Sequence, residues 1–495
     1  MAGRHWVLCC LVLYNVAGYG SSTLKFASYF GDHMVLQQGA QGAVVWGTAS
    51  RLGDKVQLYL NGHKIGDEVE TFNSSGVVTW MGKVTVTGSN YGPYNIMAKS
   101  SEGTITLHDV MFGDVWLCSG QSNMEYNMGG LTNYSAEYTE ASNYSNIRIF
   151  NTMHAQSNVE LSDLSAAPRI PWSIPPGHLG GFSAICYLFG KRLSAQFKYP
   201  IGLIESNWGG TRIEWWSSAT ALSKCPVHGK RAIHNSDLWN AMMFPLTRAT
   251  IYGAIWYQGE SNAGLYDLYT CQFPAMIDDW RRTFSTNSLH TTSQEFPFGF
   301  VQLAPFRDGA DSMNFPSLRW AQTAGYGTVP NVKMPNTFMS VALDLPDFKS
   351  PYGSIHPRFK HDVAARLALS ALGVAYHQSG LEFQGPFPSQ YRLTGHLLTI
   401  EYDQGRVPIS VNTNTSNFEV CCSATKCDRN VGNWKPAPMT AHHISTVTLD
   451  TSQCGQVAVS AVRYAWQESP CEFKHCAVYG RDTELPGPPF YHSFH

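Results

Sequence analysis

A serine, a histidine, a glycine pair and two amides are the residues of this sequence whose types suit acyl transfer. Ser122 occurs in "LCSGQSNMEYNM", where an apolar run ends in a glycine, a serine and amide side chains. A serine hydroxyl is a weak nucleophile unless a base, most often a histidine, removes its proton. His356, in "SPYGSIHPRFK", is the candidate base. The charge that develops on the carbonyl oxygen also requires hydrogen-bond donors.

These donors can come from the main chain or from amide side chains. The backbone N–H groups of Ser122 and of Gly209 or Gly210 are candidates, because glycine lets a ligand approach the main chain. Gln258 or Asn262 can donate through a side-chain amide, and Gln258 is favoured because it directly follows a predicted strand. Each residue alone has an ordinary explanation as a turn, a loop or a helix cap. Their joint placement after successive strands favours a catalytic site.

The elements that must position these residues alternate over residues 109–380. Buried strands are predicted at "DVWLCSG", "IGLIESNW", "IYGAIWYQG", "FGFVQLA" and "TFMSVALDL". Helices are predicted over residues 182–197, 238–249, 272–284, 317–327 and 357–376. Pro357 suits the first turn of the last helix. The alternation indicates an α/β fold, with a parallel sheet covered by helices on both faces and the candidate residues along one edge.

Two β-rich regions flank this core. Residues 24–108 and 381–480 contain short runs with period-two alternation, separated by Gly, Asn and Ser, which is typical of sandwich-like modules. Residues 481–495 are rich in proline and predict an irregular tail. Residues 1–20 have the basic start, apolar run and small residues of a signal peptide. We expect no membrane span, because that run is too short and no later stretch qualifies.

Cysteines and sequons favour a secreted or lysosomal glycoprotein. Two of the twelve cysteines fall in the predicted signal peptide, and the remaining ten, six of them after residue 420, predict disulfides. A zinc site is the alternative, although the spacing from Cys422 to Cys427 does not resemble a standard one. The net charge of -2 does not indicate a nucleic-acid partner. Four sequons are candidate glycosylation sites: Asn73, Asn133, Asn143 and Asn414.

Several motifs carry a resemblance to a known family. "GQSNM", "NWGGT", "WYQGES" and "IHPRFK", in this order, resemble the blocks of the SGNH hydrolase superfamily. The contexts "FGDVWLCSGQSNME", "SPYGSIHPR", "EVCCS" and "VRYAW" resemble the sialate O-acetylesterase family over essentially the whole mature chain. The resemblance implies a flavodoxin-like three-layer α/β/α core. It also implies hydrolysis of O-acetyl groups, especially 9-O-acetyl, on free or conjugated sialic acids, without a cofactor or metal.

By position, Ser122 matches the superfamily nucleophile and His356 the general base. The glycine pair and the two amides match the remaining oxyanion donors. A sialic acid carries a carboxylate, and arginine is its natural two-point partner, so Arg212 and Arg358 are candidates to bind it. The polar neighbours of the motif residues are further candidates for substrate binding: Gln121, Asn123 and Glu260.

The acidic member of a catalytic triad is the one departure from the superfamily pattern. An aspartate usually stands two or three residues before the histidine, where this chain has Ser354 and Gly353. Asp344 or Asp347, farther upstream, can serve instead. Alternatively, a backbone carbonyl orients His356 and leaves a serine–histidine dyad.

Two other functions stay open at this point. One is a carbohydrate acetylesterase that acts on acetylated plant or microbial glycans. The other is a glycan-binding protein with a weak or inactive esterase core, which the missing aspartate favours.

Overall fold

The computed structural model describes residues 23–86, 88–225 and 234–494, which form a mixed α/β fold with an additional β-rich C-terminal region. The predicted signal peptide, residues 1–20, lies outside the described residues. Among the helices of the described segments, none has both the length and the apolar character that crossing a membrane requires.

The N-terminal region is built from the short alternating runs that the sequence predicts. Its strands are β1 (Lys25–Phe26), β2 (Val35–Gln37), β3 (Ala43–Thr48), β4 (Lys55–Leu60), β5 (His63–Glu70), β6 (Phe72–Ser74), β7 (Val77–Val84), β8 (Tyr94–Ser100) and β9 (Gly103–Gly120). The first part of β9 pairs with β8, and its last part lies between two strands of the central sheet. The boundary expected between residues 108 and 109 therefore falls inside one strand, and one hydrophobic core spans both sides of it.

The central sheet confirms the parallel arrangement predicted from the apolar runs. The strands that join β9 are β10 (Ile147–Asn151), β11 (Ile170–Ser173), β12 (Ile201–Asn207), β13 (Gly253–Tyr257), β14 (Phe298–Gln302) and β15 (Thr337–Val341). In the order β11-β10-β12-β9-β13-β14-β15, neighbours are parallel except for the antiparallel edge strand β11. Every residue of β12 to β15 is buried, as continuous apolar runs predict. The short strands β10 and β11 were not predicted.

Helices follow the core strands at nearly the predicted positions. They are α1 (Ser122–Glu125), α2 (Tyr134–Ala141), α3 (Ala184–Phe197), α4 (Ala219–Ser223), α5 (Tyr266–Asn287), α6 (Asn314–Ala321) and α7 (Lys360–Val374). The segment 238–249 is not one helix but a π-helix followed by a 3-10 turn, because Pro245 lacks the N–H that a continuing helix needs. Pro357 precedes α7 and does not lie in its first turn.

The C-terminal β-rich region has a hydrophobic core of its own. Its strands are β16 (Pro388–Thr394), β17 (Leu397–Tyr402), β18 (Ile409–Val411), β19 (Phe418–Cys422), β20 (Trp434–Pro436), β21 (Met439–His442), β22 (Thr446–Asp450), β23 (Val459–Tyr464), β24 (Val478–Gly480) and β25 (Phe490–Ser493). The prediction of an irregular tail over residues 481–495 is wrong for β25. This strand pairs with β23 and buries Phe490.

Disulfides pair all ten cysteines that follow the predicted signal peptide, which confirms that interpretation of the sequence. The pairs are Cys118–Cys186, Cys225–Cys271, Cys421–Cys427, Cys422–Cys454 and Cys471–Cys476. The first pair joins the end of β9 to the first turn of α3. It therefore anchors the strand that leads to the candidate nucleophile.

Candidate active site

The candidate nucleophile lies where β9 ends and α1 begins. Gly120 closes the strand with a φ of 139°, and a Cβ there would lie 2.1 Å from the carbonyl oxygen of Tyr257 on β13. Only glycine fits this close approach. Ser122 is the first residue of α1, at the carboxyl edge of the sheet. The sharp turn from strand to helix presents its side chain to a pocket.

The hydroxyl of Ser122 and the imidazole of His356 are in hydrogen-bond contact. Ser122 Oγ lies 2.8 Å from His356 Nε2, and His356 Nδ1 lies 2.7 Å from the carbonyl oxygen of Tyr352. Because a carbonyl oxygen only accepts hydrogen bonds, it keeps the proton of the neutral imidazole on Nδ1. Nε2 is then free to accept the serine proton. This is the geometry of a hydroxyl beside a general base.

Hydrogen bonds from the main chain and from one serine side chain hold the loop that contains His356 in place. Ser350 Oγ donates to the carbonyl oxygen of His356 at 2.7 Å, and the His356 N–H donates to the carbonyl oxygen of Gly353 at 2.9 Å. Gly353 has a φ of 85°, a conformation that favours glycine. The orientation of the imidazole is therefore set by a tight local turn.

The prediction that Asp344 or Asp347 orients the imidazole is wrong, because both carboxylates pair with arginines. Asp344 is fully buried and meets Arg366 at two points, 2.6 and 2.9 Å. Asp347 meets Arg358 at 2.7 and 2.8 Å and accepts the Arg358 N–H at 3.0 Å. The hydrogen bonds from Arg358 lower the pKa of the Asp347 carboxyl. A backbone carbonyl, the alternative that the sequence left open, contacts His356 instead.

Asn123 belongs to a buried network that ties the serine turn to the histidine loop. Its Nδ2 donates to the carbonyl oxygen of Ile355 at 2.9 Å and to Glu260 Oε1 at 2.6 Å, and its Oδ1 accepts from Lys360 Nζ at 2.6 Å. Burial lowers the pKa of Lys360 to about 7 and raises the pKa of the Glu260 carboxyl. Asn123 and Glu260, the predicted substrate contacts, hydrogen-bond each other here through Asn123 Nδ2 and Glu260 Oε1, and neither lines the pocket that contains the serine.

The amides predicted to stabilise an oxyanion are engaged elsewhere. Gln258 and Asn262 are fully buried, and Gln258 Nε2 donates to Asn262 Oδ1 at 2.7 Å. Asn262 Nδ2 donates to Glu214 at 2.9 Å. Gln121, predicted to bind substrate, is also buried and accepts the Ser261 N–H at 3.2 Å. The three amides therefore join loops to one another and do not line the pocket that contains the serine.

Gly209 is the glycine of the pair that faces Ser122. A Cβ on Gly209 would lie 3.2 Å from Ser122 Cβ, whereas nothing lies within 4 Å of the same position on Gly210. The Gly209 N–H donates to Glu125 Oε2 at 2.7 Å, and Glu125 Oε1 lies 3.2 Å from His154 Nε2. Burial alone would raise the pKa of the Glu125 carboxyl, but the hydrogen bonds from His154 and Gly209 lower it. Glu125 must therefore move before Gly209 can donate to a ligand.

Ser122 and His356 open into a pocket of about 510 Å³ at this edge of the sheet. Its wall includes two tyrosines, two glutamates and an arginine: Tyr126, Tyr352, Glu125, Glu205 and Arg169. Glu205 belongs to β12, and its burial raises the pKa of the carboxyl to about 8. Near neutral pH this group is mostly protonated. Arg169 is the only lysine or arginine among the described residues that line the pocket.

The two arginines predicted to bind a carboxylate do not line this pocket. Arg212 is exposed at the start of a 3-10 turn, and Arg358 is paired with Asp347. The structure therefore does not bring either arginine together with Ser122 and His356. Arg169 was missed because the edge strand that follows it, "IPWS", is too short to be recognised from periodicity. Lys360 was also missed, although its position four residues after the candidate base was a usable signal.

Comparisons with known proteins identify the family. Residues 112–351 match the model of the carbohydrate esterase family described as sialic acid-specific acetylesterase, and residues 389–494 match the sialate O-acetylesterase C-terminal domain. The sialate O-acetylesterase of Mus musculus is 41% identical, over 97% of this chain and 96% of its own length. That of Homo sapiens is 42% identical, over 96% and 93%. The chain belongs to the sialate O-acetylesterase family. As a member, it is a carboxylic ester hydrolase.

A solved structure extends this likeness to three dimensions. A carbohydrate acetylesterase from Xanthomonas citri has a TM-score of 0.78 and 27% identity, and the match covers 95% of this chain and 100% of that one. The family resemblance inferred from the motifs is thus confirmed. In this member of the sialate O-acetylesterase family, His356 and Lys360 lie just beyond the matched region that ends at residue 351.

Proposed function

We propose that the protein hydrolyses O-acetyl esters of sialic acids, especially at the 9-position, and releases acetate through an acyl-enzyme on Ser122. The 2.8 Å contact between Ser122 Oγ and His356 Nε2 carries the proposal, because it gives the hydroxyl its base. Relatives named sialate O-acetylesterase support the substrate class. The reaction we propose uses no cofactor.

In the first half-reaction, His356 Nε2 takes the proton of Ser122 as Oγ attacks the acetyl carbonyl carbon. The imidazolium returns that proton to the sugar oxygen as the ester bond breaks, and the acetyl group stays on the serine. In the second half, His356 deprotonates a water that attacks the acetyl carbon. Ser122 recovers its proton as acetate leaves. The carbonyl of Tyr352 accepts a hydrogen bond from the Nδ1–H of His356 in both halves and so stabilises the imidazolium.

Two backbone groups are our candidates for the oxyanion donors. The N–H of Ser122 begins α1 and so has no acceptor within the helix. The N–H of Gly209 is the second donor once Glu125 turns from it toward His154. Removing one such donor typically lowers kcat by about 10²- to 10³-fold. Because Gln258 and its partner amide are committed to a buried network, they have no part in this scheme.

The proposal also covers the domain organisation of the enzyme and the cellular compartment in which it acts. The proposed catalytic domain, residues 109–380, is a flavodoxin-like three-layer SGNH core between β domains at residues 24–108 and 381–480. Five disulfides and the predicted signal peptide support the secretory pathway, ending in the lysosome or outside the cell. The proposed glycosylation sites are all exposed: Asn73, Asn133, Asn143 and Asn414.

Ser122→Ala tests the mechanism. Acetate release from 9-O-acetyl-N-acetylneuraminic acid should fall by at least about 10³-fold, because the nucleophile is gone. The unfolding midpoint should stay near that of the wild type, and a fluorophosphonate probe should label only the wild type. Ser142→Ala, which changes an exposed serine after α2, is the matched control. Near-normal acetate release by Ser122→Ala would refute the proposal.

A second candidate activity is deacetylation of other glycans, which the likeness to the Xanthomonas citri acetylesterase favours. Acetate release from a 9-O-acetyl sialoside and from acetylated xylan, measured side by side, separates the two. A higher kcat/KM on xylan would replace the first candidate. A folded wild-type protein that the fluorophosphonate probe does not label would instead favour a glycan-binding protein with an inactive core.

A further inference from the structure

Arg169 lies at the edge of the sheet where a ligand would enter. It immediately precedes β11, whose first residue, Ile170, pairs with Asn151 at the end of β10. This register places Arg169 at the carboxyl ends of the parallel strands, the edge at which such sheets bind ligands. Its side chain lines the same pocket as Ser122 and His356.

The guanidinium of Arg169 is only loosely held. Its side chain is 52% exposed, and Nη1 lies 3.8 Å from Glu125 Oε1, beyond hydrogen-bond distance. By contrast, Arg358 meets Asp347 at two points, 2.7 and 2.8 Å. A guanidinium carries five N–H donors arranged to meet a carboxylate at two points. The fork of Arg169 is therefore available to a ligand.

The neighbours of Arg169 favour an incoming anion. Burial raises the pKa of Glu205 to about 8, so its carboxyl is mostly neutral near pH 7 and does not repel a second carboxylate. The carboxylate of Glu125 lies 3.2 Å from His154 Nε2, the partner toward which it turns in the scheme proposed above. A ligand carboxylate can therefore reach Arg169 without breaking a close ion pair.

We propose that Arg169 binds the carboxylate of the acidic sugar while the acetyl ester lies against Ser122, an inference that rests on the function proposed above. A sialic acid carries its carboxylate and its glycerol side chain on the two ring carbons that flank the ring oxygen. An ester at the end of that side chain is several bonds from the carboxylate. The pocket has the same order: a Cβ built on Gly209 would lie 3.2 Å from Ser122 Cβ, and the Glu125 carboxylate lies 2.7 Å from the Gly209 nitrogen and 3.8 Å from Arg169 Nη1.

This assignment makes Arg169 a determinant of specificity. Neutral acetylated sugars have no carboxylate, so they gain nothing from the guanidinium. A sialate gains a charge-assisted pair of hydrogen bonds, which are among the stronger ones in proteins. Selection of acidic over neutral acetyl esters should therefore depend on this side chain.

Arg169→Gln tests the inference with two substrates at pH 7: 9-O-acetyl-N-acetylneuraminic acid, and 4-nitrophenyl acetate, which has no carboxylate. The ratio of kcat/KM for the sialate to kcat/KM for the neutral ester should fall roughly 10- to 100-fold, mainly through KM. Arg169→Lys should restore part of the ratio, because lysine keeps the charge but not the fork. Arg392→Gln, on the exposed face of β16, should leave the ratio unchanged.

Product inhibition provides a second measurement that does not depend on turnover of the sugar. Free N-acetylneuraminate should inhibit hydrolysis of 4-nitrophenyl acetate by the wild type, and about tenfold more weakly in Arg169→Gln. An unchanged ratio and unchanged inhibition, or a selective loss in Arg212→Gln instead, would overturn the inference and leave the proposed function standing. A wild type that neither deacetylates the sugar nor responds to the free acid would overturn both.

Discussion

Glu205 should make the stability of the wild type depend on pH in a way that Glu205→Gln removes. Its carboxyl is buried in β12, where loss of hydration raises its pKa from 4.5 to about 8. Between these two pH values the folded protein holds a proton that the unfolded chain has released. The wild type therefore loses stability as pH rises through this window. Glutamine does not titrate, so the variant lacks this loss.

Two effects set the difference in free energy of unfolding between Glu205→Gln and the wild type: the linkage of folding to proton binding, and the hydrogen bonds that the carboxyl accepts. One proton of difference changes the free energy of unfolding by about 1.4 kcal/mol per pH unit, so the variant should gain up to about 2.7 kcal/mol relative to the wild type between pH 5.5 and 7.5. The two oxygens of Glu205 accept from Asn207 Nδ2 at 2.9 Å and from the Ser183 N–H at 3.0 Å. Glutamine retains one acceptor, which costs about 1 kcal/mol at pH 5.5. The variant should thus be less stable at pH 5.5 and more stable at pH 7.5.

Urea unfolding with the disulfides intact, followed by tryptophan fluorescence at both pH values, measures this change. The difference between variant and wild type cancels the contributions of the other titrating groups. Glu68→Gln, which alters an exposed glutamate on β5, controls for the amide substitution itself. If the free energy of unfolding of Glu205→Gln minus that of the wild type is the same at pH 5.5 and pH 7.5 within about 0.5 kcal/mol, this carboxyl ionises like a surface acid. That result would refute the reasoning.

Three further predictions concern the same edge of the sheet. Asn123→Ala removes the bridge between the serine turn and the histidine loop, so kcat should fall roughly 100-fold with little change in KM, and wild-type kinetics in a folded variant would contradict this. Gly209→Ala keeps the backbone N–H but places a Cβ 3.2 Å from that of Ser122, so kcat should fall about tenfold because the proposed nucleophile is displaced; an unchanged kcat would contradict this close approach. Replacing Cys118 and Cys186 together with Ser should lower the free energy of unfolding by about 2–5 kcal/mol, because this disulfide joins residues 68 positions apart. The same change at the pair separated by 5 positions should cost less, and equal losses in denaturant unfolding would count against the argument.

Five of the seven strands of the central sheet, β9 and β12 to β15, could be predicted because their buried residues read as apolar runs. Ser122 and His356 could be brought together on the same basis, since strands that run in parallel end at one edge. The partners of polar side chains could not be predicted in this way. Gln258 directly follows its strand, as expected, but its amide turns into a network whose other members come from separate loops.

The hydrogen-bond partners of the aspartates before His356 could not be predicted either. Asp347 is close to His356 along the chain, yet a guanidinium only 11 residues away in sequence makes two hydrogen bonds with it. Charge pairing in a packed loop is decided by side-chain direction, which sequence proximity does not determine. Arg169 is far from Ser122 and His356 along the chain, yet it lies in the same pocket. Its position depends on the pairing of β11 with β10, and this pairing could not be predicted from the sequence.

His356, the proposed base, hydrogen-bonds a backbone carbonyl at the nitrogen where a catalytic triad has a carboxylate. In enzymes with a Ser-His-Asp triad, the carboxylate fixes the tautomer of the catalytic histidine and also stabilises its charged form. Here the carbonyl of Tyr352 fixes the tautomer with a neutral dipole, and no side-chain substitution can remove it. The position of the ring then depends on the turn that carries this carbonyl, which Ser350 braces from one side and the Asn123 network from the other. Substitutions that loosen the turn should therefore lower kcat even where they touch neither the nucleophile nor the imidazole.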